Sequence, residues 1–451
     1  MGVLFGTDGV RGIANVELTP EMAFNLGRAG SYVLAQQDSN TKPRIMVGKD
    51  TRISGDMLEA ALLAGICSTG ADALILGVIP TPAVAYLTQQ YQASCGVVIS
   101  ASHNPVQDNG IKFFGPNGYK LPDEIEARIE SLVLTGTKDL VRPQGEEVGR
   151  IYNVDEANNR YLKYLSSCYT QKQDLSNLKV VLDCANGAAY QVAPMLWESL
   201  GAKVVVINNQ PNGVNINARC GSTHTRTLRK AVIENKADLG IAYDGDADRC
   251  IAIDERGNEL DGDFIMTICA LDMFRRGTLK PNRIAATVMS NIGLDIALKR
   301  EGIQVDSCAV GDRYVLEKMM ETGALLGGEQ SGHIIFLEHA TTGDGLLSSL
   351  KLAEVMQRTG LSLSGLAREM DKQPQMLVNI KLEDKETILA HVLVKESLQK
   401  AERKLGENGK LVVRPSGTEP LVRIMAQGPD HDLLEEVIGD ISTAIQNAQQ
   451  K

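Results

Sequence analysis

The sequence predicts an α/β protein: three related α/β domains with mixed, mainly parallel sheets, followed by a smaller α+β domain. Three observations carry this. A strand–turn–helix–strand pattern recurs three times, and strand runs such as IMVG and VVVI are apolar without alternation, as in strands buried on both faces. Beyond residue 371 the pattern changes to two strands joined by a short loop, which predicts an antiparallel sheet.

Each unit follows in chain order. The first reads RIMVGKDTRISG, DMLEAALLAGICSTG, ALILGVI; the second KVVLDCANGA, AYQVAPMLWESLG, AKVVVI; the third RIAATVMSNIG, LDIALKREG, IQVDSCAVGD. The polar stretch KDLVRPQGEEVG precedes a helix-like DEANNRYLKYLSSC, expected to bridge the first two domains. Further breaks fall in ERGNELDGD and around Asp371 to Pro374. The expected domains are 1–155, 156–258, 259–371 and 372–451, one more than the roughly 150 residues per domain of the length prior gives.

Composition narrows the function. With 46 Lys plus Arg against 56 Asp plus Glu, the net charge is −10, and aromatics are 4%. That argues against nucleic acid as partner, which needs clustered cations and stacking platforms. No stretch is long and apolar enough for a membrane span. Eight dispersed cysteines without Cys-x-x-Cys indicate reduced thiols rather than a disulfide framework or a zinc site. MGVLFGTDGVRG has no signal-peptide pattern, so the cytoplasm is the expected compartment. Glycine, at 43 residues, exceeds its usual share of about 7% and clusters with Asp, Ser, Asn and Pro. Gly belongs where backbone turns sharply or approaches a ligand closely, so the chemistry is expected on loops.

Four loops qualify. After CGVVIS comes SASHNP, where Ser102 or Ser100 could be a nucleophile and His103 or Lys112 its proton-transfer partner. In DGDADR, Asp244, Asp246 and Asp248 alternate with small residues, and three carboxylates without Cys or His indicate magnesium. Arg249 stands where an EF-hand needs Gly, and the flanks read as strands, so calcium sensing is excluded. In GGEQSGH, Glu329, Gln330 and Ser331 offer the donors and acceptors a polyhydroxylated ligand needs, with His333 following. In RPSGTEP, Arg414, Ser416, Gly417 and Thr418, with Arg423 on the next strand, make an anion nest. A hydroxyl nucleophile, a magnesium site, a polyol loop and a phosphate nest together describe phosphoryl transfer on a phosphosugar.

These loops, in this order, together with FGTDGVRG at the start, resemble the α-D-phosphohexomutases over essentially the whole chain. The resemblance implies four domains around a central cleft. It also implies Ser102 as the phosphorylated serine, and one magnesium ion on Asp244, Asp246, Asp248 and a phosphate oxygen of Ser102. Glu329 and Ser331 would contact sugar hydroxyls. Arg414, Ser416, Gly417, Thr418 and Arg423 would grip the phosphate that is not reacting. Arg11, His103, Lys112, Arg249 and His333 would surround the reacting group, with Lys112 the candidate general acid/base. FGTDGVRG and Gln330 resemble the branch that interconverts glucosamine 6-phosphate and glucosamine 1-phosphate through a 1,6-bisphosphate, which also serves as activator, for cell-wall precursor synthesis. A homodimer through the first domain is implied as well. The competing readings are a mannose or glucose phosphate mutase, an Asp-x-Asp phosphatase and a non-enzymatic sugar-phosphate sensor.

Overall fold

The computed structural model describes residues 3–6, 8–35, 42–382, 384–415 and 421–449. In the first sheet, Asp72–Val78, Arg44–Lys49 and Cys95–Ile99 run parallel, and Asp108–Phe114 adds antiparallel beside the last of them. In the second sheet the same order is Lys203–Ile207, Lys179–Asp183, Leu239–Tyr243 and then antiparallel Cys250–Asp254. In the third it is Gln304–Cys308, Arg283–Thr287, Leu326–Gly328 and antiparallel Ile334–Phe336. The repeat legible in the sequence is thus a repeat of topology.

One consequence positions the site. In each α/β domain the chain reverses between the last parallel strand and its antiparallel neighbour. That reversal holds SASHNP in the first domain, DGDADR in the second and the Glu329–His333 loop in the third. Sheets of this kind place ligands at the carboxyl ends of their parallel strands, and all three loops leave from such ends.

The edges differ. The first sheet gains Gly9–Ile13 and Phe5–Gly6 on one side and Ile151–Asn153 on the other. The second gains Glu259–Leu260, so its pairing runs two residues beyond 258. VVVI, expected to be buried on both faces, is only half-buried: Lys203–Ile207 is the edge strand of its sheet, with a neighbour on one side alone.

A single apolar core runs through all three α/β domains, with Met46 and Val98 from the first, Trp197 and Ile241 from the second, Ile284 and Leu350 from the third. The helix Ala157–Cys168 bridges more than the two domains expected. Its buried Tyr161 donates a hydrogen bond to Asp344 Oδ2 of the third domain at 2.7 Å. The C-terminal domain has a separate core, including Val422, Ile424, Leu434 and Ile441. Its sheet is antiparallel throughout, in the order Gln375–Lys381, Leu421–Gln427, Lys410–Pro415. Among the described residues no helix is long and apolar enough to cross a membrane.

Candidate active site

The serine loop is held from beneath. Arg52 is buried, pairs with Asp50 at 2.9 Å and donates to the carbonyls of Ser102 at 3.0 Å, Asn104 at 2.8 Å and Asp108 at 3.0 Å. Asn217, from the second domain, donates to the carbonyls of Ser102 at 2.8 Å and Asn104 at 3.1 Å. Ser102 itself has φ +51°, a left-handed conformation that costs a non-glycine residue energy and persists where surroundings over-determine it.

The two serines separate by partner. Ser100 Oγ donates to Asp50 Oδ2 at 2.7 Å and accepts the Ser102 N–H at 2.9 Å, so it fixes the loop. Ser102 Oγ donates to Asp244 Oδ2 at 2.6 Å, with His103 Nδ1 at 3.4 Å. Gly245 allows this approach, since a Cβ there would meet the Ser102 carbonyl oxygen at 2.4 Å.

Asp244, Asp246 and Asp248 are buried and present carboxylate oxygens all within 4.8 Å of one another. Burial, with Asp248 and Asp246 nearby, pushes the Asp244 carboxyl well above the usual range. Burial also works to raise Asp248, but His333, Lys112 and Arg249 hold it below its ordinary value. Asp246 Oδ2 accepts from Thr81 at 2.7 Å and from Lys112 at 3.1 Å, whereas Asp246 Oδ1 and Asp248 Oδ1 are buried without a hydrogen-bond partner. Unpartnered buried carboxylate oxygens in an all-oxygen cluster fit a hard divalent cation such as magnesium.

The cationic groups converge on the same point. Lys112 Nζ lies 3.0 Å from Asp8 and 3.1 Å from Asp246. Burial alone would lower its pKa, but Asp246, Asp8 and Asp248 outweigh it and hold the ammonium charged, the opposite of the shift a lysine base needs. Arg11 pairs with Asp8, and Arg249 Nε lies 3.8 Å from Asp248. His103 is pushed down to about 4 by burial and by Arg249 and Arg11, so it is neutral at pH 7. His333 Nδ1 stands 3.4 Å from Asp248 Oδ2. Neighbouring carboxylates favour its protonation, yet Nε2 accepts the Gly343 N–H at 3.0 Å, which places the proton on Nδ1 facing Asp248.

Arg249, Glu329 and Ser331 line one open cavity of about 510 Å³, together with Ser222, Asp261 and Lys372. Glu329 Oε1 accepts the Gly311 N–H at 3.1 Å, and Ser331 donates to Glu329 Oε2 at 3.3 Å. Arg414 stands directly opposite Arg423 across the hairpin strands. Burial and the charge of Arg423 lower the Arg414 pKa. Ser416, Gly417 and Thr418 lie outside the described residues.

Arg52, Asn217, Thr81, Asp8, Lys120 and Asp312 were not expected from sequence. Lys120 joins Asp8 of the first domain to Asp312 of the third. Asp8 could have been found, since it lies inside FGTDGVRG three residues before Arg11.

Comparison with known proteins agrees with this layout. The domain models of phosphoglucomutase/phosphomannomutase match in order: α/β/α domain I over residues 2–139, domain II over 159–257, domain III over 261–373 and the C-terminal domain over 377–444. A phosphoglucosamine mutase of Syntrophomonas wolfei is 73% identical over 449 residues, covering 100% of both chains. Among solved structures, a phosphoglucomutase/phosphomannomutase family protein of Burkholderia thailandensis superposes with a TM-score of 0.82 at 23% identity, covering 98% of this chain and 97% of that one. The Aspergillus fumigatus N-acetylphosphoglucosamine mutase, solved with GlcNAc-6P and magnesium, gives 0.72 at 16% identity, covering 99% and 96%. With four family domains in order and a relative of that identity over its full length, the chain belongs to the phosphoglucomutase/phosphomannomutase family, the α-D-phosphohexomutases, and is an enzyme of the isomerase class.

Proposed function

We propose that the protein interconverts glucosamine 6-phosphate and glucosamine 1-phosphate through phosphoserine 102 and a 1,6-bisphosphate intermediate, in the cytoplasm, for cell-wall precursor synthesis. The observation that carries this reading is Ser102 Oγ, buried 2.6 Å from Asp244 at the meeting of the first two domains, with Arg249 shared between that cluster and the cavity of Glu329 and Ser331. The S. wolfei relative named phosphoglucosamine mutase supports the choice of sugar. Eight free cysteines, seven of them buried, agree with a reducing compartment.

In this reading a sugar hydroxyl attacks the phosphorus on Ser102. The bond from phosphorus to Ser102 Oγ breaks as the bond to the sugar oxygen forms. The resulting bisphosphate turns over in the cleft and returns its 6-phosphate to Ser102. Asp244, Asp246 and Asp248, with phosphorylated Ser102, would hold one magnesium ion, which when bound would neutralise charge on the transferring group. Arg11, Arg249, His103 and His333 surround that group. Lys112, which Asp8 and Asp246 hold charged, would give its proton to the leaving oxygen and, then neutral, take up the proton of the attacking hydroxyl. Glu329 and Ser331 bind sugar hydroxyls. Arg414, Ser416, Gly417, Thr418 and Arg423 grip the distal phosphate, and the C-terminal domain closes onto it. A homodimer through the first domain completes the reading.

The test compares glucosamine, glucose and mannose phosphates for turnover by purified protein with magnesium and a trace of bisphosphate. Preference for glucosamine phosphate is expected, and its absence overturns the sugar assignment. Intact mass should show one phosphate, localised by peptide mapping to Ser102.

A further inference from the structure

Behind the sugar loop lies a carboxylate that the reaction does not use. Asp263, fully buried in the first turn of the helix Gly262–Arg275, accepts from Gln330 Nε2 at 3.1 Å and from the Asn291 N–H at 2.8 Å, both on Oδ2. Gln330 belongs to the loop of Glu329 and Ser331. Asn291 belongs to the turn against which the C-terminal domain rests. Its side chain binds both backbone groups of Gln373, in the link between the domains, with Nδ2 to the carbonyl and Oδ1 from the N–H, each at 2.9 Å. On either side of Asn291, the Ile292 N–H donates to Gln427 Oε1 at 2.7 Å and the Ser290 carbonyl accepts from Lys410 at 3.0 Å. Gln427 ends the strand of Arg423, and Lys410 begins the strand of Arg414.

A buried carboxylate needs a return for its desolvation, and here the bonds are incomplete. Oδ1 makes no hydrogen bond of good geometry, although the Ser290 hydroxyl faces the carboxylate and favours its charged form. Plain helix capping does not account for it, because Asp261 already caps this helix. What Asp263 joins is two segments of different domains: the loop that meets the sugar and the turn that seats the phosphate-binding strands.

We propose that Asp263 is a positioning residue that couples the sugar loop to the seating of the C-terminal domain, so that the sugar and its distal phosphate are gripped together. Resting as it does on the sugar-loop reading above, the coupling is best measured by binding as well as turnover. Gln330→Met and Gln427→Leu each cut one end of the network, and distant independent substitutions should multiply in their effects. Calorimetry with glucosamine 6-phosphate and magnesium should instead give a double variant whose Kd departs from the product of the singles by about threefold or more. Asp263→Ala should abolish that departure, while Asp263→Asn, whose amide can serve both neighbours after rotation, should restore it. Simple multiplication in the Asp263-containing protein overturns the coupling, and this pair decides even if Asp263→Ala fails to fold. Binding without turnover would sink the functional reading and leave the cycle valid; no binding of glucosamine 6-phosphate at all would sink both.

Discussion

Ser102 and Arg414 both sit where a strand gives way to a reversal, yet the ground beneath them differs. The serine loop is fastened by Arg52 and Asn217 and rests on a core shared by three domains. The Arg414 hairpin belongs to a domain with its own core, joined to the third domain by contacts such as Lys410 to Ser290, Lys410 to Asp295 and Ile292 to Gln427. On the proposed function the first arrangement preorganises the reacting group, as electrostatic catalysis demands. On the proposed reading the second suits a domain that opens to admit a phosphosugar, because polar contacts exchange with water at little net cost. Under that reading, rigid chemistry and movable grip fall to different cores.

The sharpest break in this comparison is Ser102→Ala. Removing the hydroxyl should lower turnover by about 10³-fold or more, with unfolding by denaturant unchanged and the phosphate missing from the intact mass. Next comes Arg52→Met, which leaves Asp50 buried without its counter-charge. A loss of about 3–5 kcal/mol in urea unfolding is expected, with activity falling because the serine loop loses its support. A loss below 1 kcal/mol would mean the loop is held mainly by Asn217 and Ser100.

Arg414→Ala probes the other region. If Arg414 grips the distal phosphate as proposed, its loss removes a charge-assisted contact worth about 1.5–3 kcal/mol, and KM should rise roughly 10- to 100-fold. Urea unfolding should stay within about 0.5 kcal/mol of wild type, because the residue is half-exposed and faces another arginine. A large stability loss here would erase the distinction between the two regions.

SASHNP, DGDADR and GGEQSGH, which the structure sets at the ends of parallel strands, stood out because each concentrates polar groups within a few residues: carboxylates at alternate positions and hydroxyls beside small residues; Ser416, Gly417 and Thr418 of the fourth loop lie outside the described residues. The three-fold strand repeat was legible for the same reason, since strand, turn and helix are local patterns. What stayed hidden depends on distance along the chain. Arg52, in KDTRISG, reads as a surface arginine until residues 102 to 108 fold over it. Lys120 gains meaning only when Asp8 and Asp312 come together from either side. VVVI carries the composition of a central strand, but its place at the edge is decided by strand order, which composition does not encode. The different partners of Ser100 and Ser102 likewise appear only with Asp50 and Asp244, one on each side of the loop.

The smallest effect tests how firmly the three domains are fused. Asp344 caps the helix Gly345–Thr359 through the Leu347 N–H at 2.9 Å and accepts from Tyr161 at 2.7 Å, tying the bridging helix to the third domain. Burial pushes its carboxyl up to about 6, against an unfolded value near 4. Between those values the folded chain holds a proton that the unfolded chain has released, so this group's contribution to stability is fully present below about pH 4 and lost as pH rises through about 6. Asp344→Asn keeps a capping oxygen and a partner for the Tyr161 hydroxyl but cannot ionise. Relative to wild type, the variant should therefore gain stability as pH rises from about 4 to 7, by on the order of 1 kcal/mol or more, measured by urea unfolding at each pH. A difference that is flat with pH would mean that Asp344 ionises freely inside the fused core, and that this junction is wetter and looser than the rest of that core.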